Sequence, residues 1–150
     1  MDSRKMKTMI LSVMILMYAL PTLAQTGLGI ASVFGRYQGQ KNTVEVYVKG
    51  RKLKQYNLTM FRSMTIKDDE EALYSIENAV KRDGQKAADS ETGMIGRHLY
   101  YGFYRFAQVD GKYRYLFFRN TSLRKPQTHE AVLIYMEGYA TMDELKQMFK

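Results

Sequence analysis

The sequence predicts an α+β fold in a single domain: a mainly antiparallel sheet of about five strands with helices packed on one face, in the order α-β-β-α-β-β-β-α. Three observations carry this. An Asp110-Gly111 pair divides two aromatic-rich, strand-like runs, an acid-opened stretch from Asp68 carries an apolar stripe at helical spacing, and strand and helix signals do not alternate strictly. A hairpin among consecutive strands favours an antiparallel sheet with segregated helices over a parallel, doubly wound one.

The elements follow in order. Residues 28–38 place Leu28, Ala31, Val33 and Phe34 at roughly helical spacing, ending near Gly39. Residues 43–48 alternate and are rich in β-branched side chains, the pattern of a strand; Gly50-Arg51-Lys52 is the expected turn, and 56–66 resumes a strand with Leu58, Met60, Met64 and Ile66 on one parity. Asp68 to Glu71 opens a helix in which acids complement the dipole, and Asp68 with Glu71 resembles a capping pair. Leu73, Ile76 and Val80 form its stripe, Lys81 and Arg82 sit near its end, and Gly84 is its expected stop. Residues 85–96 read as a loop. After the hairpin, 121–130 reads as a polar loop, 131–137 as a last strand, and Thr141 to Glu144 as a capping box opening a terminal helix with Met142, Leu145, Met148 and Phe149 facing inward.

Asp-Gly between strands favours a type I′ turn, because glycine tolerates the positive φ required. A regular ladder from that turn pairs Val109 with Lys112 and sets the rest. One face then holds Leu99, Tyr101, Phe103, Arg105 and Ala107 against Asn120, Phe118, Leu116 and Arg114. The other holds Tyr100, Gly102, Tyr104, Phe106 and Gln108 against Arg119, Phe117, Tyr115 and Tyr113. Tyrosine combines an apolar ring with a polar tip and suits half-exposed interfaces. Tyr100, Tyr104, Tyr113 and Tyr115, with Arg114 and Arg119 nearby, are therefore the candidate ligand or partner surface; the alternative is that these rings serve packing alone.

The N-terminus has the layout of a cleaved secretory signal peptide over residues 1–24. Arg4, Lys5 and Lys7 precede an apolar run from Met9 to Leu20, and Pro21-Thr22-Leu23-Ala24 closes it with small residues where signal peptidase reads. The run is shorter than the roughly 20 residues a spanning helix needs. The mature part, 25–150, is long enough for one domain. With no cysteine in the chain, disulfides, thiolate metal ligands and lipid attachment at cysteine are all excluded. The formal charge of +8 falls to about +6 on loss of three basic residues and one acid. Outside the cytoplasm such a charge meets lipid head groups, acidic glycans and acidic proteins rather than nucleic acid, or simply favours solubility.

Catalytic signatures are missing from the sequence: there is no HExxH, GxSxG or phosphate-loop motif. His98 and His129, or the pair Asp89 and Glu91, are the only starting points for a hydrolase, and no metal or cofactor site is expected. Lys49, Arg51, Lys52 and Lys54 form a basic turn that could meet an anionic membrane or another polyanion weakly and in a salt-sensitive way, or could be a solvated hairpin tip.

Four stretches resemble a known kind of family: Val48 to Leu53, Leu58 to Ser63, Val109 to Leu116 and Val132 to Gly138. Together with the signal peptide they look like one of the small exported domains of unknown function in the Bacteroidota. That resemblance implies a Gram-negative envelope, with the periplasm the expected address of a protein that is not a lipoprotein. It carries no assigned activity and no catalytic residues. The expectation is a non-enzymatic binding or accessory module for an envelope protein or glycan.

Overall fold

The computed structural model describes residues 27–149; the expected signal peptide lies outside the described residues. The chain runs α1 (Ile30–Tyr37), β1 (Thr43–Lys49), a 3₁₀ turn (Arg51–Tyr56), β2 (Leu58–Lys67), α2 (Glu70–Gly84), β3 (Asp89–Ile95), β4 (His98–Val109), β5 (Lys112–Asn120), two short 3₁₀ turns, β6 (Glu130–Gly138) and α3 (Met142–Met148). The strands form one six-stranded sheet in the order β1-β2-β6-β5-β4-β3. Every neighbouring pair is antiparallel. From β2, α2 carries the chain to the far edge. The meander β3-β4-β5-β6 then walks back until β6 docks on β2.

The α+β class and the antiparallel sheet are as expected, but the sheet has six strands rather than about five. The additional strand, β3, lies inside the predicted loop 85–96. Its sequence DSETGMI lacks an apolar alternation because it is a sheet edge with mostly exposed side chains. Only pairing with β4 makes it a strand.

Side chains alternate across a sheet, and both faces are apolar here. On one face α1 and α2 cover Met60, Met64 and Ile66 of β2, Leu133 and Tyr135 of β6, Leu116 and Phe118 of β5, and Tyr104 and Phe106 of β4. On the other, Leu145 of α3 and Leu53 of the 3₁₀ turn join Tyr115, Ile134, Met136 and Phe103. The helices are thus divided between faces. The terminal helix follows directly from β6 and closes onto the side that α1 and α2 leave uncovered.

The hairpin turn is as predicted, with Asp110 at φ 54° and Gly111 at φ 76°. The register beyond it is not. Val109 pairs with Lys112, but Phe106 pairs with Arg114 and Phe103 with Phe117, because β4 carries one extra residue between Phe106 and Val109. A one-residue slip sends every later side chain to the opposite face. Tyr101 and Phe103 therefore share a face with Phe117 and Arg119, while Tyr104 and Phe106 share one with Arg114, Leu116 and Phe118.

Buried polar groups tie α2 to this sheet and to α1. Glu77 of α2, 2% exposed, accepts from the Leu99 amide and bonds His98 Nδ1 and Lys81 Nζ, both at 3.0 Å. Burial pushes its carboxyl up, yet the Leu99 amide, His98 and Lys81 outweigh that and hold it below the ordinary glutamate value. Asp83, at the end of α2, accepts from the amides of Gly29 (2.8 Å) and Ile30 (2.9 Å) and so satisfies the first turn of α1.

Candidate binding cleft

The face carrying α3 can be read as rows running across all six strands. One row is Val44, Thr65, Val132, Arg119, Tyr101 and Gly93. The next is Val46, Ser63, Ile134, Phe117, Phe103 and Glu91. A third is Val48, Phe61, Met136, Tyr115, Arg105 and Asp89. A seven-residue helix does not cover this area. Leu145 packs with Tyr115 and Met136 of the third row, and Phe149 stacks on Phe117 of the second with centroids 5.6 Å apart and planes 7° from parallel.

What remains open is a cleft of about 410 Å³ between β3, β4, β5 and the end of α3. Tyr100, Tyr101, Phe103, Phe117 and Phe149 line it. Arg119, Arg124 and Lys146 bring positive charge, and Glu91 is its one carboxylate. Arg124 lies over the Tyr100 ring (4.3 Å to the centroid) and Arg119 over Phe117 (5.6 Å), so each guanidinium is held against an aromatic face. Lys146 pairs with Glu91, which also accepts from the Tyr101 hydroxyl at 3.3 Å. Lys146 holds the Glu91 carboxyl below its usual range, and Glu91 in turn raises Lys146. Burial, and then Glu91, push the Tyr101 phenol up. Glu91 and Lys146 thus favour each other's charged form, and the carboxylate's ion pair is with Lys146 rather than with either arginine.

Gly93 helps shape the cleft. A Cβ there would stand 2.5 Å from Tyr101 Cε1, so the Tyr101 ring lies against the bare backbone of β3. Any larger residue would have to displace that ring.

Two of the sequence-predicted binding residues, Tyr100 and Arg119, line this cleft. Tyr113 and Tyr115 lie on the same face but further along. Tyr115 is buried and donates to the Ala140 carbonyl at 2.6 Å, and burial pushes its phenol up to about 12. Arg105 covers the ring of Tyr113 at 5.2 Å. Tyr104 and Arg114 lie on the opposite face, where Tyr104 is buried and its ring comes against Gly84 of α2. The expected single tyrosine face is therefore divided by the bulge in β4. Lys146, Phe149, Arg124 and Glu91 were not anticipated as neighbours, since they come from α3, a 3₁₀ connection and the unpredicted β3.

The remaining candidates are dispersed. Lys49, Arg51, Lys52 and Lys54 are all exposed around the 3₁₀ turn, whose Leu53 is the buried anchor. His98 bonds Glu77, whereas His129 is an exposed left-handed residue whose carbonyl accepts from Asp68. Asp89 and Glu91 share one side of β3, with Glu91 committed to Lys146. No group of three metal-capable side chains occurs among the described residues.

The model of a family of unknown function, DUF6108, matches residues 17–149, and the chain belongs to that family. No curated protein and no solved structure matches it.

Proposed function

We propose that this protein is an exported cell-envelope domain that binds rather than catalyses, with the aromatic and basic cleft as its ligand site. The observation that carries the reading is the convergence of Tyr100, Tyr101, Phe117 and Phe149 with Arg119, Arg124 and Lys146 around one opening. Its volume lies within the range of small-ligand pockets. Flat rings beside guanidinium groups fit a ligand with an apolar ring face and an anionic substituent, and an acidic glycan has both. The N-terminal charge and apolar pattern supports export to the periplasm, where such glycans and acidic partner surfaces are the available anions.

Calorimetric titration with acidic and matched neutral oligosaccharides tests this. Binding of the acidic set, weakened at least tenfold in a folded Arg119→Ala, Arg124→Ala double variant, is the expected result. Equal binding by the variant, or no preference for the acidic set, would remove the cleft as the site.

A further inference from the structure

The open edge of β1 points to a second surface, independent of the cleft. Gly50 N–H bonds the Thr59 carbonyl at 3.3 Å, and Lys67 N–H bonds the Asn42 carbonyl at 3.0 Å. Both bonds continue the β1–β2 register, so the even-numbered residues of β1 exchange hydrogen bonds with β2. The odd-numbered residues turn their N–H and C=O groups outward. Thr43 N–H is already bonded to Gln40. Glu45, Tyr47 and Lys49 remain without a backbone partner on that side among the described residues, placed symmetrically about Tyr47.

We propose that β1 pairs antiparallel with β1 of a second copy of this chain, Tyr47 against Tyr47 on the twofold axis. In that register Glu45 lies directly opposite Lys49 of the second copy, and the reverse contact repeats by symmetry. Glu45 Oε1 already takes Arg62 Nε at 2.7 Å on its own chain. On the other face Val46 faces Val48 of the second copy as a non-hydrogen-bonded pair, where side chains approach most closely. The pairing thus covers Val46 and Tyr47, which are 45% and 50% exposed.

The two edges of the sheet differ in the way this requires. β3 carries Asp89, Glu91 and a register shift at Gly93/Met94, devices that keep an edge unpaired. β1 has no proline, no glycine and no register shift. Its two charges, Glu45 and Lys49, have opposite sign and stand where a twofold axis brings them together.

The test combines sedimentation velocity with cross-linking. The purified protein should dimerise across a micromolar concentration series. Tyr47→Pro removes an outward N–H and a half-exposed ring 5.9 Å from Arg62, and should leave a folded monomer. Lys49→Glu, which sets like charges opposite each other twice, should weaken the dimer about tenfold. The chain lacks cysteine, so Tyr47→Cys should cross-link under oxidation, because paired Cα atoms about 5.5 Å apart lie within disulfide reach. Met94→Cys on the opposite edge should not. A wild-type chain that stays monomeric overturns the pairing and leaves this edge to an extended segment of another protein. Equal cross-linking from positions 47 and 94 also overturns it, as does a dimer insensitive to Lys49→Glu.

Discussion

The two faces of the sheet are built from similar side chains and used differently. Beneath α1 and α2 the contact is continuous: Phe34, Ile76 and Val80 meet Met64, Phe106, Leu116 and Phe118, all 0–1% exposed. Beneath α3 it is partial, and aromatic rings that would elsewhere be core are left beside water with arginines over them. The difference comes from helix length. Fifteen residues of α2 reach across the strands, whereas seven of α3 cover one end. The cleft on this molecule is therefore a core left unfinished, and mutations should separate the faces by what they cost.

The largest expected effect is on the closed face. Phe106→Ala should destabilise the protein by about 3–5 kcal/mol in chemical denaturation, because a fully buried ring leaves a cavity. An equal loss from Phe117→Ala on the open face would break the contrast.

Glu77→Ala comes next, at about 1–3 kcal/mol, since the Leu99 amide loses its partner in a buried setting. Acid should reveal the same residue in Glu77→Gln. The folded value of Glu77 lies below its ordinary 4.5. Its ionised form therefore contributes fully above that value, and the contribution is lost as pH falls through the lower folded one. The stability gap between wild type and Glu77→Gln should narrow across that acid window. A gap that stays constant would show that the carboxylate charge is not what matters.

Gly93→Val should cost less stability, about 1 kcal/mol, yet weaken ligand binding by displacing the Tyr101 ring. Unchanged binding would remove Tyr101 from the site. The smallest stability effect belongs to Arg119→Ala with Arg124→Ala, within about 0.5 kcal/mol of wild type, although the same pair should carry most of the charge-dependent affinity.

How much of this is legible from residues varies along the chain. The α2 stripe of Leu73, Ile76 and Val80, the Thr141–Glu144 capping box and the Asp110-Gly111 turn are local patterns, and each appears in the structure. Asp69 rather than Asp68 caps α2, a one-residue difference at a helix end. β3 is illegible because an exposed edge strand needs no apolar alternation. The hairpin register is half legible: the turn chemistry is written at Asp110-Gly111, but Ala107 and Gln108 give no sign that one residue bulges. Tyr100 and Arg119 were visible candidates, whereas their companions Lys146 and Phe149 are separated from them in sequence by more than two strands' length of chain.

By itself the sequence determined what is local: the α+β class, most element boundaries, the positive charge, the absence of cysteine chemistry and an N-terminal run of basic and then apolar residues. These follow from spacing, capping and turn residues that act within a few positions of one another. The tertiary structure alone decided which face each tyrosine takes, where α3 stops covering the sheet, and which edge stays open. Those depend on a bulge, on the length of one helix against the width of six strands, and on hydrogen bonds between distant segments, and none of these is encoded at a single position.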